Sequence, residues 1–378
     1  MRKIFLPILL IIILFVFTGC DTPDGIDHYN FVISVGIDKT EDNLLKLSVQ
    51  LPSVVSSSSG SSGSSQSSNY TIYSVEAQSI DEGITILDNF LNKQINLSHC
   101  SALVISEELA REGVKTIFNT FSNNTELRHN CKMIVSSSSA YDVLNNVSNS
   151  GEIFSSRLFK YLTNSTDYTG FTVDAEFGDF FKALHNDYYE PTAVYVKISD
   201  NTVQIDGIAI FKKEYFVGHI DPISSMAHLI TTDNLNKSVI TLDNPFDTEE
   251  KIDLELSLYK NTDISVNIIN NSPFISLKVY PEGTIKSSGS TFNYVTNDNI
   301  IKLENTTNDY LEKIIKDYLY DISKNYNSDI VGFKGITHTK YLTKDEFNKL
   351  HWDEIFQDSF FEVEVNSKIN SSNLFNKE

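Results

Sequence analysis

Cysteine is scarce, with three in 378 residues. That count excludes a small disulfide-stapled scaffold. Basic residues are outnumbered: 30 Lys and Arg stand against 50 Asp and Glu, for a net charge of −20. Such a surface repels nucleic acid and anionic lipid headgroups, so no nucleic-acid partner is expected. The acids are spread along the chain and not blocked, the pattern of a solvated surface. The eight histidines stand at 28, 99, 129, 185, 219, 228, 338 and 351. No two fall within four residues, so the spacing of a helical zinc pair is missing and no metal site is expected. "DNPFDTEE" (243–250) has carboxylates but neither the glycine nor the spacing of a calcium loop. A Gly-x-Ser-x-Gly elbow, a phosphate loop and a flavin signature are all missing. "SHC" (98–100) pairs Ser98 or Cys100 with His99. Neighbours on an extended chain point to opposite faces, so a structural role is expected there and no catalytic residue is assigned.

A long spanning run is lacking too. Ile4 to Phe17 is uncharged and 14 residues long, short of the ~20 apolar residues of a spanning helix. Arg2 and Lys3 precede it, and small residues follow, which is the layout of an export signal. Phe17-Thr18-Gly19-Cys20 resembles a bacterial lipobox, where the cysteine thiol receives a diacylglyceryl group and the signal is cut just before it. Residues 1–19 are therefore expected to be a lipoprotein signal peptide and Cys20 the lipid attachment site. Two acyl chains hold a protein stably where one does not. Losing Arg2 and Lys3 with the signal takes the net charge to −22. The lipid, and not a basic patch, must then supply membrane attachment.

Along the chain, "FVISVGI" (31–37) and the alternation Leu45/Leu47/Val49/Leu51 predict two strands. Residues 53–68 hold eleven serines and two glycines, a coil too polar to fold, expected as a long hairpin loop. Tyr70 to Val75 resumes a strand. Ser79 and Glu82 make a capping box, and Ile80, Ile84, Leu87 and Leu91 give one face of a helix to about Asn92. "CSALVIS" (100–106) and "CKMIVSS" (131–137) read as buried strands. Between them lies a helical stretch broken at Gly113, and a short helix follows over 141–147. Strand, helix and strand at this spacing predict parallel pairing. Residues 152–190 look mostly helical. From Pro191 short strands dominate: "TAVYVKI", "QIDGIAIFKK" and "YFVGHI". Ile252, Leu254, Leu256 and Leu258 alternate with polar residues, predicting an antiparallel sheet with one wet face. Leu311, Ile314, Ile315, Tyr318, Leu319 and Ile322 form the stripe of a covering helix. "FFEVEVNSKI" (360–369) is the last strand. The expectation is an α+β / α/β chain of three units, each a sheet packed with helices: 20–190, 191–246 and 247–378.

Several stretches resemble the Ger(x)C family of spore germination lipoproteins, the C subunit of germinant receptors. They are "FVISVGIDK", "LSHCSALVISEELAREG" (97–113), "NNTELRHNCKMIVSSSSAYDVL" (123–144), "IDGIAIFKKEYFVGHID" (205–221), "YNSDIVGF" (326–333), "WDEIF" (352–356) and the last strand. The resemblance implies three α/β domains and a non-catalytic protein with no cofactor besides the covalent diacylglyceryl and N-acyl lipid on Cys20. It implies a place on the outer face of the spore inner membrane, beside an A subunit and a multi-spanning B subunit. The complex would sense a small germinant and trigger release of stored ions and calcium dipicolinate. It leaves ligand-binding residues unknown. Two rivals stand beside it. A solute-binding lipoprotein of a transporter would show two similar lobes around a cleft. An envelope hydrolase would need a catalytic set.

Overall fold

The computed structural model describes residues 28–53, 70–124, 126–146, 157–158, 160–161, 170–288 and 296–370. Cys20, its lipobox and nearly all of the serine tract lie outside them.

Strand β1 (Tyr29–Phe31) leads into β2 (Ser34–Lys39) and the hairpin of β3 (Leu45–Pro52) with β4 (Tyr70–Ala77). Helix α1 (Ile80–Leu91) starts at the predicted box: Ser79 Oγ accepts from Glu82 N–H at 3.2 Å, and Glu82 reaches back to Gln78 N–H at 2.7 Å. Then come β5 (Gln94–Asn96), β6 (Ala102–Ser106), α2 (Glu107–Glu112), α3 (Lys115–Asn123), β7 (Lys132–Ser136) and α4 (Ala140–Asn145). The break between α2 and α3 falls at Gly113, as expected. Of the stretch expected to be mostly helical, α5 (Phe177–Leu184) is helical, whereas Glu176 makes an antiparallel bridge with Lys132. Next are β8 (Thr192–Ser199), β9 (Thr202–Lys212) and β10 (Tyr215–Ile220).

Eight of these strands form one sheet in the order β10-β9-β8-β7-β6-β2-β3-β4. Its centre, β2, β6, β7 and β8, is parallel, as the crossover spacing predicted, and antiparallel strands flank it. Strands β1 and β5 pair separately as a small parallel ribbon.

The second half holds α6 (Pro222–Thr231), β11 (Ser238–Asn244), the long hairpin β12 (Asp247–Ile269) and β13 (Ser272–Ser288), and α7 (Asn297–Tyr320). After a π-helical turn at Asp321–Asn325 come short helices α8 (Phe333–His338), α9 (Lys344–Asn348) and α10 (Trp352–Ile355), then β14 (Phe360–Val365) and β15 (Lys368–Asn370). The sheet runs β11-β12-β13-β14, with β15 also on β13. Ile252, Leu254 and Leu256 are buried, as their alternation predicted, and Leu311, Ile315, Tyr318 and Leu319 of α7 cover them. The stretch 360–369, expected as one last strand, forms two, β14 and β15, and both join β13 in parallel. The long α7 carries the chain back along the sheet before β14 begins, so the strand re-enters in the direction of β13.

Three sheets packed with helices thus make a mixed α+β fold. Segment 191–246, expected as a middle unit, divides between the larger two. Strands β8–β10 extend the eight-stranded sheet, while α6 and β11 join the five-stranded one. Period-two alternation along β9 explains how. Ala209 and Phe211 face the first core, and Ile208 and Ile210 face the second. Among the described residues no helix is long and apolar enough to cross a membrane.

Candidate functional site at the joint of the two sheets

Strand β9 and the hairpin to β10 form the wall where the two cores meet. Two side chains from 326–329 are fastened to it, and a third residue is tied to the connection just before β8. Tyr326 Oη donates to His219 O at 2.9 Å, Ser328 Oγ donates to Phe211 O at 2.6 Å, and Asp329 O accepts from Glu190 N–H at 3.1 Å. Asp329 also caps α8: its carboxylate accepts from the N–H groups of Gly332, Phe333 and Lys334 at 2.9, 3.0 and 2.7 Å. Asp329 is 5% exposed. Burial lifts its carboxyl to about 6, against the pull of those three donors, with the nearby Glu190 charge adding to the rise. Burial raises Glu190 as well, although its carboxylate accepts from Lys213 N–H at 2.5 Å.

A cleft of about 740 Å³ opens at this joint, walled by α5, the 186–190 connection, α6 and the 330–335 loop. A neighbouring cleft of about 370 Å³ lies under Trp352 and Asp353. Asp174, Glu176, Asp179, Glu190 and Asp233 line the larger cleft. Two of these carboxylates, Asp174 and Glu176, hold the buried Lys132 Nζ at 2.5 and 3.0 Å. His228 lines the same cleft, and its Nδ1 lies 2.7 Å from the Tyr318 hydroxyl. It is 4% exposed, and burial pushes its imidazole down to about 4, so the ring is neutral near pH 7. Burial pushes the Tyr318 phenol up. The polar groups therefore serve one another: carboxylates cap a helix or hold a lysine, and the imidazole meets a phenol. Such a set fixes geometry: the one imidazole lining the cleft among the described residues, His228, is 4% exposed and engaged by the buried Tyr318 hydroxyl.

The "SHC" residues do not converge. Ser98 Oγ bonds Asn96 Oδ1 at 2.5 Å, exposed His99 stacks on Phe31 at 4.8 Å, and Cys100 is buried. The Cys100 and Cys131 sulfurs lie 3.8 Å apart as free thiols, with Cys131 pushed up by its bond to Cys100 and by burial. No group of three or more His, Cys, Asp or Glu side chains able to hold a metal exists among the described residues.

The joint is built from the stretches that carried the resemblance, and comparison with known proteins says whose they are. The spore germination protein N-terminal domain matches residues 24–198, and the spore germination B3/GerAC-like C-terminal domain matches residues 206–373. The chain belongs to the GerAC-like family of spore germination proteins. It is 24% identical over 375 residues to spore germination protein KC of Bacillus subtilis (strain 168), covering 93% of this chain and 91% of that protein. Spore germination protein B3 of the same organism is 24% identical over 360 residues, 93% of each. The crystal structure of the GerBC protein shares the fold, with a TM-score of 0.59 and 21% identity over 89% of this chain and 96% of that one.

In this member of the GerAC-like family the motif residues are fasteners. Asp38 of β2 accepts from Ala140 and Tyr141 N–H at 2.6 and 3.0 Å, holding the start of α4. In "EELAREG", Glu107 accepts from Tyr195 Oη at 2.6 Å and Arg111 lies 4.8 Å over the Phe216 ring. Gly207 has φ +119, and a β-carbon there would sit 1.8 Å from Ile220 O. In "WDEIF", Asp353 takes Lys334 Nζ at 2.8 Å, and its carbonyl accepts from Asn327 Nδ2 at 3.2 Å. Sequence reading quoted these stretches without giving the residues roles. For Asp329 the sequence offered no N-cap signal, because it stands three residues before Gly332, the residue in the cap position of α8.

Proposed function

We propose that this protein is a non-catalytic, lipid-anchored subunit of a spore germinant receptor. Diacylglyceryl and N-acyl chains on Cys20 hold it to the outer face of the spore inner membrane, where it acts as an assembly partner of the membrane-embedded A and B subunits. The observation that carries this reading is the tiling of two germination-protein domains, in order, over residues 24–198 and 206–373. The basic start, short apolar run and lone cysteine at 2–20 support the anchor. A scaffold also suits a joint whose polar groups are spent on fastening. The solute-binding rival calls for two similar lobes, but the two large sheets here differ in strand number and direction.

The test is a strain carrying only a Cys20→Ala copy. Two acyl chains give stable attachment, and a net charge of −22 offers no electrostatic return to an anionic membrane. The variant should leave the spore membrane fraction, and optical-density loss after germinant addition should weaken as the tether's effective concentration is lost. Wild-type germination with the protein missing from that fraction sinks the tether. A pull-down from wild-type spore membranes should recover two multi-spanning subunits, and failure to recover them sinks the assembly role.

A further inference from the structure

Phe90 is 68% exposed, more than any other Phe, Tyr or Trp among the described residues. It projects from the last turn of α1. Ile86, 37% exposed, stands one turn before it on the same stripe, and the half-buried Tyr73 ring of β4 lies 6.1 Å from the Phe90 ring. A water-facing helix of a chain this acidic has no structural need for such a cluster at that place.

Its position relative to the lipid site is the second observation. The first described residue, His28, shares a groove with Thr85, Asn89, Asn92 and Lys93, at the same end of α1. The following strand then pairs Tyr29 with Gln94 and Asn30 with Ile95. The chain coming from Cys20 therefore meets the fold at the end of α1 that carries Phe90, on the neighbouring stripe of Thr85, Asn89 and Asn92. Eight residue steps separate Cys20 from His28, a reach of at most about 28 Å. Charge agrees with this direction. Lys93 stands at the end of α1 near the tether, and Asp88 beside it is engaged by Ile95 N–H at 2.6 Å. The acids Asp81 and Glu82 sit in the first turn, about 18 Å away along the helix. The end of α1 nearest His28 is thus its less acidic end.

We infer that Phe90 and Ile86, at the C-terminal end of α1, form a membrane-docking face that seats the protein on the bilayer holding its lipid anchor. Aromatic rings favour the headgroup level, and a basic residue beside them suits anionic headgroups. One lipidated cysteine fixes where the protein is but leaves it free to swing. A second, weak apolar contact near the tether fixes which way it faces. The inference rests on lipidation at Cys20.

The experiment uses full-length lipidated protein in vesicles of phosphatidylglycerol and phosphatidylethanolamine carrying brominated acyl chains, with intact mass reporting the lipid on Cys20. The native Trp352 is 3% exposed and serves as the internal reference. In Phe90→Trp, the added emission should fall about twofold relative to unbrominated vesicles, as for a side chain at the headgroup–acyl boundary. Wild type and Phe360→Trp, whose new ring sits on β14 of the other sheet, should not change. Lipidated Phe90→Trp without quenching overturns the docking face and leaves the anchor standing. Equal quenching of Phe360→Trp also overturns it, because the protein then lies on the surface without orientation. An unmodified Cys20 overturns the anchor and this face together.

Discussion

His228 and Asp329 should give the second core two opposing pH responses, which separate when either residue is replaced. Burial holds the imidazole at about 4, down from 6.5, and the carboxyl at about 6, up from 3.8. A tenfold change in proton affinity is about 1.4 kcal/mol. For His228 the unfolded chain takes up a proton below pH 6.5 while the folded one stays neutral. Its contribution of about 3 kcal/mol is present above 6.5 and lost as pH falls toward 4. For Asp329 the folded chain takes up the proton first, so acidification from 6 to 3.8 adds about 3 kcal/mol. Between pH 6 and 4 the two nearly cancel. His228→Asn keeps a polar atom for the Tyr318 hydroxyl and removes the titration. Compared with wild type it should gain about 3 kcal/mol on going from pH 6.5 to 4. Asp329→Asn should lose a similar amount over pH 6 to 4, on top of a pH-independent cost from leaving the Lys334 N–H without its acceptor. Urea unfolding followed by Trp352, the single tryptophan and a buried member of the same core, reads both. Other carboxylates cancel in each difference. Variant and wild-type profiles that run parallel across pH 4 to 7 would refute the reasoning.

Three further outcomes are expected. Gly218→Ala places a β-carbon 2.2 Å from Tyr326 Cε1, on a ring held in place by its bond to His219 O, so it should destabilise by about 1–3 kcal/mol in the same urea assay. Cys100 and Cys131 should remain thiols despite their 3.8 Å separation, because neighbouring parallel strands rarely offer bridge geometry; a loss of about 2 Da in non-reduced intact mass counts against that. Replacing residues 53–68 by a short Gly-Asn turn should leave the melting temperature nearly unchanged, since loop closure depends weakly on length; a large drop would mean that the tract is packed.

Periodicity carried most of the fold because it is a local property. The β6 and β7 runs, the α1 box, the β12 alternation and the α7 stripe could be read within a dozen residues each, and all stand where they were expected. What the sequence hid depends on distance along the chain. Segment 191–246 has a strand-rich composition of its own, yet β8 pairs with β7 in parallel and draws two more strands onto the large sheet. Nothing local tells β9 that its two faces will enter different cores. The parallel arrival of β14 follows from the path of α7, not from its own residues. The joint was illegible for the same reason: Ser328 meets Phe211 and Tyr326 meets His219 across more than 100 residues.

Two of the stretches that mark the family, 205–221 and 326–333, pin the two halves together, and the others fasten elements within one half. A chemical site would concentrate its distinctive residues around one cleft and leave some of them unspent on structure. Here Asp38, Glu107, Ser328, Asp329 and Asp353 each hold a particular backbone or side-chain group in place. Because β9 gives one face to each core, moving one sheet against the other would break packing on both sides of a single strand. The two large sheets are therefore built to keep a fixed relative geometry. Fixed geometry is compatible with the tethered assembly role proposed above. In the proposed role, a lipid on Cys20 would raise local concentration, and a rigid body would then present the same surface to its neighbours at each encounter.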